Sequence, residues 1–311
     1  MLATRAYIRS MRMEDKRVGV VGLGNMGSAI ARRLLQSGFA VTVFNRTPGR
    51  AAPLVALGAT QAPSMRELAA SQHTVVTCVA DTPDVQQVIL GSDGVLAGAK
   101  PGTTIIECST IDPITSKQIG DTVRAAGSRM IDAGVGGLPK DVDAGKGSFM
   151  VGATEDDLPY ARPVIEALGE LILCGGPGTG ITMKVINNLL SQTIQAADAE
   201  AFVLGAKAGL DPRLMLRVLS QTAADNKALR TRVPDQVLGG NYQSGFTCRL
   251  ALKDQRVAHE MATRLGVPLF TLSQARQLLT LAIAMGRGEQ AVLAVAAALE
   301  DVTGVRLSKR D

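Results

Sequence analysis

Arg17-Val18-Gly19-Val20-Val21-Gly22-Leu23-Gly24-Asn25-Met26-Gly27 carries a short apolar run into a glycine pattern, Gly-x-Gly-x-x-Gly, that opens a helix. Val18 to Val21 has strand character, and Ser28 to Leu35 reads as helix, with Ile30, Leu34 and Leu35 on one face. Gly22 allows the tight turn after the strand, Gly24 lets the backbone approach a pyrophosphate, and Gly27 permits close helix packing. The helix N-terminus adds N–H donors and the positive end of its dipole. In this context Gly22, Leu23, Gly24, Asn25, Met26 and Gly27 read as a dinucleotide site. The bland alternative is a merely tight strand-helix turn.

A second strand, Ala40 to Phe44, ends in Asn45-Arg46-Thr47, some twenty residues past the glycines, where such a unit meets the adenosine ribose. No carboxylate stands there to grip a ribose 2'-hydroxyl. Arg46 can instead neutralise a 2'-phosphate, with Asn45 and Thr47 as donors. NADP is therefore expected over NAD, with use of both still open; an Arg on a solvated loop is the plainer reading.

The 311 residues suffice for two domains, and the 46% apolar content supports a substantial core. The net charge of +5 is scattered among acidic residues, and aromatic residues are only 3%, so no basic stripe or stacking platform points to nucleic acid. Cys78, Cys108, Cys174 and Cys248 are far apart in sequence, three of them at predicted buried strands, which fits apolar filling in a reducing, cytoplasmic setting. His73 and His259 are the only histidines and there is no Cys-x-x-Cys, so neither a metal site nor a Ser-His hydrolase is expected. No apolar run reaches the length of about 18 residues that a membrane span needs. Residues 1–15, with three arginines and no acid among the first twelve, read as a disordered leader.

Strand-like runs continue at Thr74 to Val79, Thr103 to Glu107, Arg129 to Asp132, Phe149 to Val151 and Leu171 to Leu173. Helical segments at Ser64 to Ala70, Asp84 to Ile89, Ile114 to Ala126 and Asp156 to Leu168 alternate with them. The expected fold is α/β: a doubly wound, mostly parallel Rossmann domain over residues 16–178, closed by the Gly175 to Gly180 break. An all-helical domain over residues 179–311 follows. Thr182 to Ala208 has no proline and only one internal glycine, Gly205; as a helix it would be about 40 Å long. Asp211-Pro212 caps the next helix, and Leu250 to Leu265, Thr271 to Ala284 and Gln290 to Val302 read as further helices.

Lys184 and Asn188 are four residues apart near the start of the long helix and project from one face. A partly desolvated lysine suits proton transfer to and from a carbonyl oxygen, with Asn188 orienting the same oxygen. Two residues on a solvated helix face are the alternative.

Four ordered motifs, Gly22 to Gly27, Ser109-Thr110-Ile111-Asp112-Pro113, Gly178-Thr179-Gly180 leading to Lys184-Val185-Ile186-Asn187-Asn188, and Lys253-Asp254, resemble those of the β-hydroxyacid dehydrogenases. The resemblance runs from about Lys16 to the C-terminus. It implies reversible hydride transfer between nicotinamide and a small aldehyde or hydroxy acid in a cleft between the domains, with Lys184 as catalytic acid-base and Asn188 as its substrate-side partner. By the same resemblance Thr110 lies beside the nicotinamide ribose and carboxamide and helps position the substrate, and Lys253 reaches back to the cofactor; Val79, in a bend that departs from the family pattern, can still pack on the nicotinamide ring. Thr110 also reads as the cap of the helix after Pro113. A homodimer or homotetramer is expected on the same ground, with no nucleic-acid or membrane partner.

Two departures matter. Val79-Ala80-Asp81 replaces an apolar-proline bend, and Asp81 reads as a helix cap. Asp132-Ala133-Gly134-Val135-Gly136-Gly137-Leu138 aligns with a family segment in which a serine contacts substrate, and here Gly136 stands in its place. The N–H groups of Gly136 and Gly137 remain as anion donors, and Lys140 is a candidate for compensation. An imine reductase, a reductase of an uncharged carbonyl, and an NADP-binding regulator without catalysis are the competing readings.

Overall fold

The computed structural model describes residues 16–243 and 246–308. The expected leader at 1–15 lies outside them. One compact unit ends at Val185 and the other begins at Ile186. The division thus falls inside the long helix Thr179–Lys207, later than the glycine-rich break that the sequence offers as a boundary.

The first unit is built on an eight-stranded sheet ordered β3-β2-β1-β4-β5-β6-β7-β8. The strands are β1 Arg17–Val21, β2 Ala40–Phe44, β3 Thr60–Gln61, β4 Thr74–Thr77, β5 Thr104–Glu107, β6 Arg129–Gly136, β7 Gly147–Gly152 and β8 Gly169–Gly175. The first six follow the Rossmann order and are parallel; β7 runs antiparallel to β6, and β8 parallel to β7. Strand periodicity divides the core. Val76, Ile106 and Ile131 face the helices Asn25–Gln36 and Leu158–Leu168, whereas Val75, Ile105 and Met130 face Thr82–Leu90 and Pro113–Ala125. Ile30 and Leu34 of the first helix are wholly buried, each worth about 1.5–3 kcal/mol.

Two expectations are corrected here. The two-residue edge strand β3 is too short and too exposed to leave a period in the sequence. More important, β6 does not stop at Asp132 but runs on to Gly136, because β7 pairs with it from Asp132↔Gly152 to Gly136↔Ser148. The segment expected to contact substrate, where the sequence predicts a strand only as far as Asp132, is therefore largely strand.

The second unit is helical, as expected. Phe202, Val203, Cys248, Ala251, Leu279 and the run Val292 to Ala296 form its core. Asp211 caps the helix Pro212–Leu219 through the Arg213 N–H. The helix expected at 271–284 begins at Gln274 and gives way to a wide turn at Ile283–Arg287, where Gly286 has φ +81°; the last helix spans Ala294–Thr303. Among the described residues, no helix is long and apolar enough to cross a membrane and no cluster fit to hold a metal occurs. All four cysteines are free, but only Cys108 and Cys248 are fully buried; Cys78 and Cys174 are half-buried.

Candidate active site

The parallel strands β1, β2, β4, β5 and β6 deliver their carboxyl ends to one edge of the sheet, where ligands of open α/β sheets bind. Gly22 follows β1 with φ +93°, and a Cβ there would lie 2.3 Å from the Cys78 carbonyl oxygen. A Cβ on Gly27 would lie 1.9 Å from the Gly22 carbonyl oxygen, so helix and turn touch only because both residues are glycine. Gly24 differs: it is the N-cap of Asn25–Gln36, no side chain caps that terminus, and a Cβ there would meet nothing within 4 Å. A turn shaped by two glycines and left open at the third, before an uncapped helix N-terminus, fits a pyrophosphate.

Asn45 is partly spent on the fold. Its Oδ1 accepts from the Leu23 N–H at 2.8 Å and its Nδ2 donates to the Thr47 carbonyl at 3.1 Å, tying the glycine turn to the end of β2. Arg46 has an 89% exposed side chain, with Nη1 3.6 Å from Asp84 Oδ1. Its guanidinium is held loosely enough to turn toward a phosphate.

The ends of β4 and β5 are joined by groups that sequence reasoning missed. The Ser109 hydroxyl accepts from the Val79 N–H at 2.9 Å. Glu107, with no exposed surface, accepts from the Ser109 N–H at 2.5 Å and from the Thr77 hydroxyl. Burial pushes its carboxyl up to about 7, against the lowering effect of those hydrogen bonds. Asp81 caps the following helix through the Thr82 N–H, as expected. Thr110 does not cap the helix Pro113–Ala125; Asp112 does, accepting from the Thr115 N–H at 2.9 Å. Thr110 lies between the end of β5 and that cap.

Asp132 is the pivot of β6. Its Oδ1 accepts from the Gly178 N–H at 2.6 Å and its Oδ2 from the Ile181 N–H at 2.8 Å, so a buried carboxylate holds the start of the long helix on the sheet. Burial raises its proton affinity, and the hydrogen bonds from Gly178 and Ile181 oppose the rise. Two residues along, a Cβ on Gly134 would stand 2.5 Å from Lys184 Cβ. The lysine stem is thus seated on the strand near its carboxyl end. Gly136 ends β6 and Gly137 follows with φ +103°. The Leu138 N–H donates to Asp141 Oδ2 at 2.7 Å. That places a carboxylate beside the segment expected to grip an anion, while Lys140 is exposed.

The second unit holds Asn188 and Lys253 on one carboxylate. Asn188 Nδ2 donates to Asp254 Oδ2 at 2.6 Å, and Lys253 Nζ lies 2.8 Å from Asp254 Oδ1. Asn188 is buried and also accepts from Asn187 Nδ2 at 3.0 Å. Neither residue is a solvated helix side chain. Asp254 is the organising group, and its place in the Lys253-Asp254 pair was the only sign of it in the sequence. Lys184 and Asn188 stand one turn apart on the continuous helix Thr179–Lys207.

Residues 17–176 match the NAD binding domain of 6-phosphogluconate dehydrogenase, and residues 178–299 match the family described as NAD-binding of NADP-dependent 3-hydroxyisobutyrate dehydrogenase. The chain is 32% identical to 2-(hydroxymethyl)glutarate dehydrogenase of Eubacterium barkeri over 94% of its own length and 97% of the relative's. It is 34% identical to 3-sulfolactaldehyde reductase of Escherichia coli (strain K12), covering 88% and 92%. Among solved structures, Mycobacterium tuberculosis 3-hydroxyisobutyrate dehydrogenase with L-serine superposes with a TM-score of 0.84 at 29% identity, covering 91% of this chain and 98% of that one.

Proposed function

The chain belongs to the β-hydroxyacid dehydrogenases, NAD(P)-dependent oxidoreductases acting on CH–OH groups, and from that premise we propose an NADP-preferring enzyme that interconverts a short aldehyde or keto acid and its hydroxy acid. Lys184 is the acid-base. The nicotinamide, when bound, carries the hydride. In the reducing direction the Lys184 ammonium gives its proton to the oxygen that gains negative charge; in the oxidising direction the neutral amine removes the hydroxyl proton. Thr110 and Asn188 orient the substrate, and Arg46, with Thr47 and the remaining Asn45 N–H, favours the 2'-phosphate of NADP.

The observation that carries this reading is the seat of Lys184 on Gly134, at the carboxyl edge of the sheet that also holds the glycine turn. The compounds named for the relatives, 2-(hydroxymethyl)glutarate, 3-sulfolactaldehyde and 3-hydroxyisobutyrate, each set an alcohol or aldehyde near an acid group, which supports an anionic substrate here. One feature favours the competing reading of an uncharged carbonyl or imine: the Asp141 carboxylate beside Gly137 and Leu138. The free cysteines support a cytoplasmic enzyme. Ile186, Leu190 and Leu204, exposed by 46%, 52% and 72% along the long helix, support a homodimer or homotetramer.

The test is NADPH oxidation, with NADH in parallel, against glyoxylate, succinic semialdehyde, tartronate semialdehyde, methylglyoxal and a cyclic imine. Turnover of a carboxylated aldehyde is expected. Activity confined to methylglyoxal or the imine would move the assignment to the uncharged class, and faster turnover with NADH would overturn the role given to Arg46.

A further inference from the structure

Gly136 and Ser148 are directly paired across β6 and β7, so their side-chain positions lie on the same face of the sheet. A Cβ built on Gly136 would stand 2.4 Å from Ser148 Oγ and 3.5 Å from the Met150 methyl. The space that a side chain at 136 would enter is therefore taken by the hydroxyl of a neighbouring strand. Ser148 is the only residue of β7 that is not fully buried. Among the described residues its hydroxyl makes no hydrogen bond to protein, although the strand around it is fully paired.

Position along the sheet gives that hydroxyl its meaning. Asp132, Gly134 and Gly136 alternate onto one face of β6. Asp132 anchors the long helix there, and Gly134 seats the Lys184 stem. Gly136 lies two residues farther toward the carboxyl end, about 7 Å along the strand. A small molecule whose oxygen meets Lys184 and whose body runs toward the carboxyl end of β6 would pass Gly136 and reach Ser148.

We infer that Ser148 is a substrate-binding residue, its hydroxyl donating to the acid group of the substrate from the place that a side chain at 136 would otherwise occupy. The glycine at 136 is what makes room for it. The inference rests on the reading of Lys184 as the acid-base, and it assigns the anion a neutral donor on the sheet face.

The test uses the full-length enzyme and the carboxylated aldehyde that the wild type turns over best. Ser148→Ala is expected to raise KM about tenfold, the worth of one hydrogen bond to a charged group, with kcat and the Kd of NADPH unchanged. Ser148→Thr keeps the hydroxyl and is expected to stay near the wild-type KM. The double variant Gly136→Ser/Ser148→Ala returns a hydroxyl from the facing strand and is expected to recover most of the lost affinity, which a purely structural role for Ser148 would not produce. An unchanged KM in Ser148→Ala, or an equal rise toward methylglyoxal, which has no acid group, overturns the assignment while the family reaction stands. A wild-type enzyme inert toward every carboxylated aldehyde overturns the proposed substrate class and this assignment with it.

Discussion

Gly134 and Lys184 interlock: a Cβ on the glycine would lie 2.5 Å from the Cβ and 3.0 Å from the Cγ of the lysine. A glycine inside a strand weakens it unless something approaches closely, and here the approaching group is the base of the proposed proton donor. Gly134→Ala is expected to cost about 1–3 kcal/mol of stability through overpacking. It is also expected to lower kcat about 100-fold, because a shift of about 1 Å in a reacting group has that effect. Urea unfolding and steady-state kinetics on the same preparation read both; normal kcat would show that the seat is not what aims the lysine.

Lys184→Ala retains the Cβ that meets Gly134 and removes only the proton-carrying end. Turnover is expected to fall by about 100- to 10,000-fold, with NADPH affinity by calorimetry unchanged. Full activity would remove Lys184 from the reaction. An enzyme that never turns over, yet binds NADPH identically with and without the lysine, would match the regulator reading instead.

Arg46 contributes little to the fold, since its contact with Asp84 is 3.6 Å and solvated. Arg46→Ala is therefore expected to leave thermal stability unchanged and to weaken NADPH by about 10- to 100-fold, the range for a charge-assisted hydrogen bond. NADH binding should not move. Equal loss for both cofactors would place Arg46 elsewhere than at the 2'-phosphate.

Glu107 makes stability depend on pH. Its carboxyl stands at about 7 in the folded chain against an ordinary 4.5, so the native state holds a proton that the unfolded chain releases. Stability is highest below about pH 4.5 for this group and is lost as pH rises through 7, by about 3 kcal/mol in total. Glu107→Gln keeps an oxygen for the Ser109 N–H and an N–H for Thr77. It is expected to flatten the unfolding free energy between pH 5 and 8 and to be the more stable form at pH 8. A slope that survives the substitution would assign the dependence to another group, Asp132 first.

The glycine turn and its helix were legible because everything they require is local. A strand, a positive-φ glycine and a close-packing glycine fall within eleven residues, and the apolar period of the helix follows at once. Asp81 and Asp211 were legible as caps for the same reason. Thr110 was misread as a cap because Asp112, two residues on, sits nearer Pro113. The extent of β6 was not legible at all: Gly134 and Gly136 look like a loop until Met150 and Ser148 of β7, sixteen and twelve residues away, are laid beside them. Asn45 was read only as a ligand donor, since its acceptor role depends on the Leu23 N–H, 22 residues earlier.

By itself the sequence determined the Rossmann order of elements, the dinucleotide turn, the helical second half and Lys184 with Asn188 on one helix, because hydrophobic period, glycine conformation and helix spacing act over a few residues. Only the tertiary structure decided which groups those residues lean on. Asp132 holding the helix start, Gly134 seating Lys184, Ser148 filling the space at Gly136, Glu107 keeping its proton and Asp254 holding Asn188 all join positions on different elements. Burial and hydrogen bonding across elements set those relations, and neither has a short-range signature in the chain.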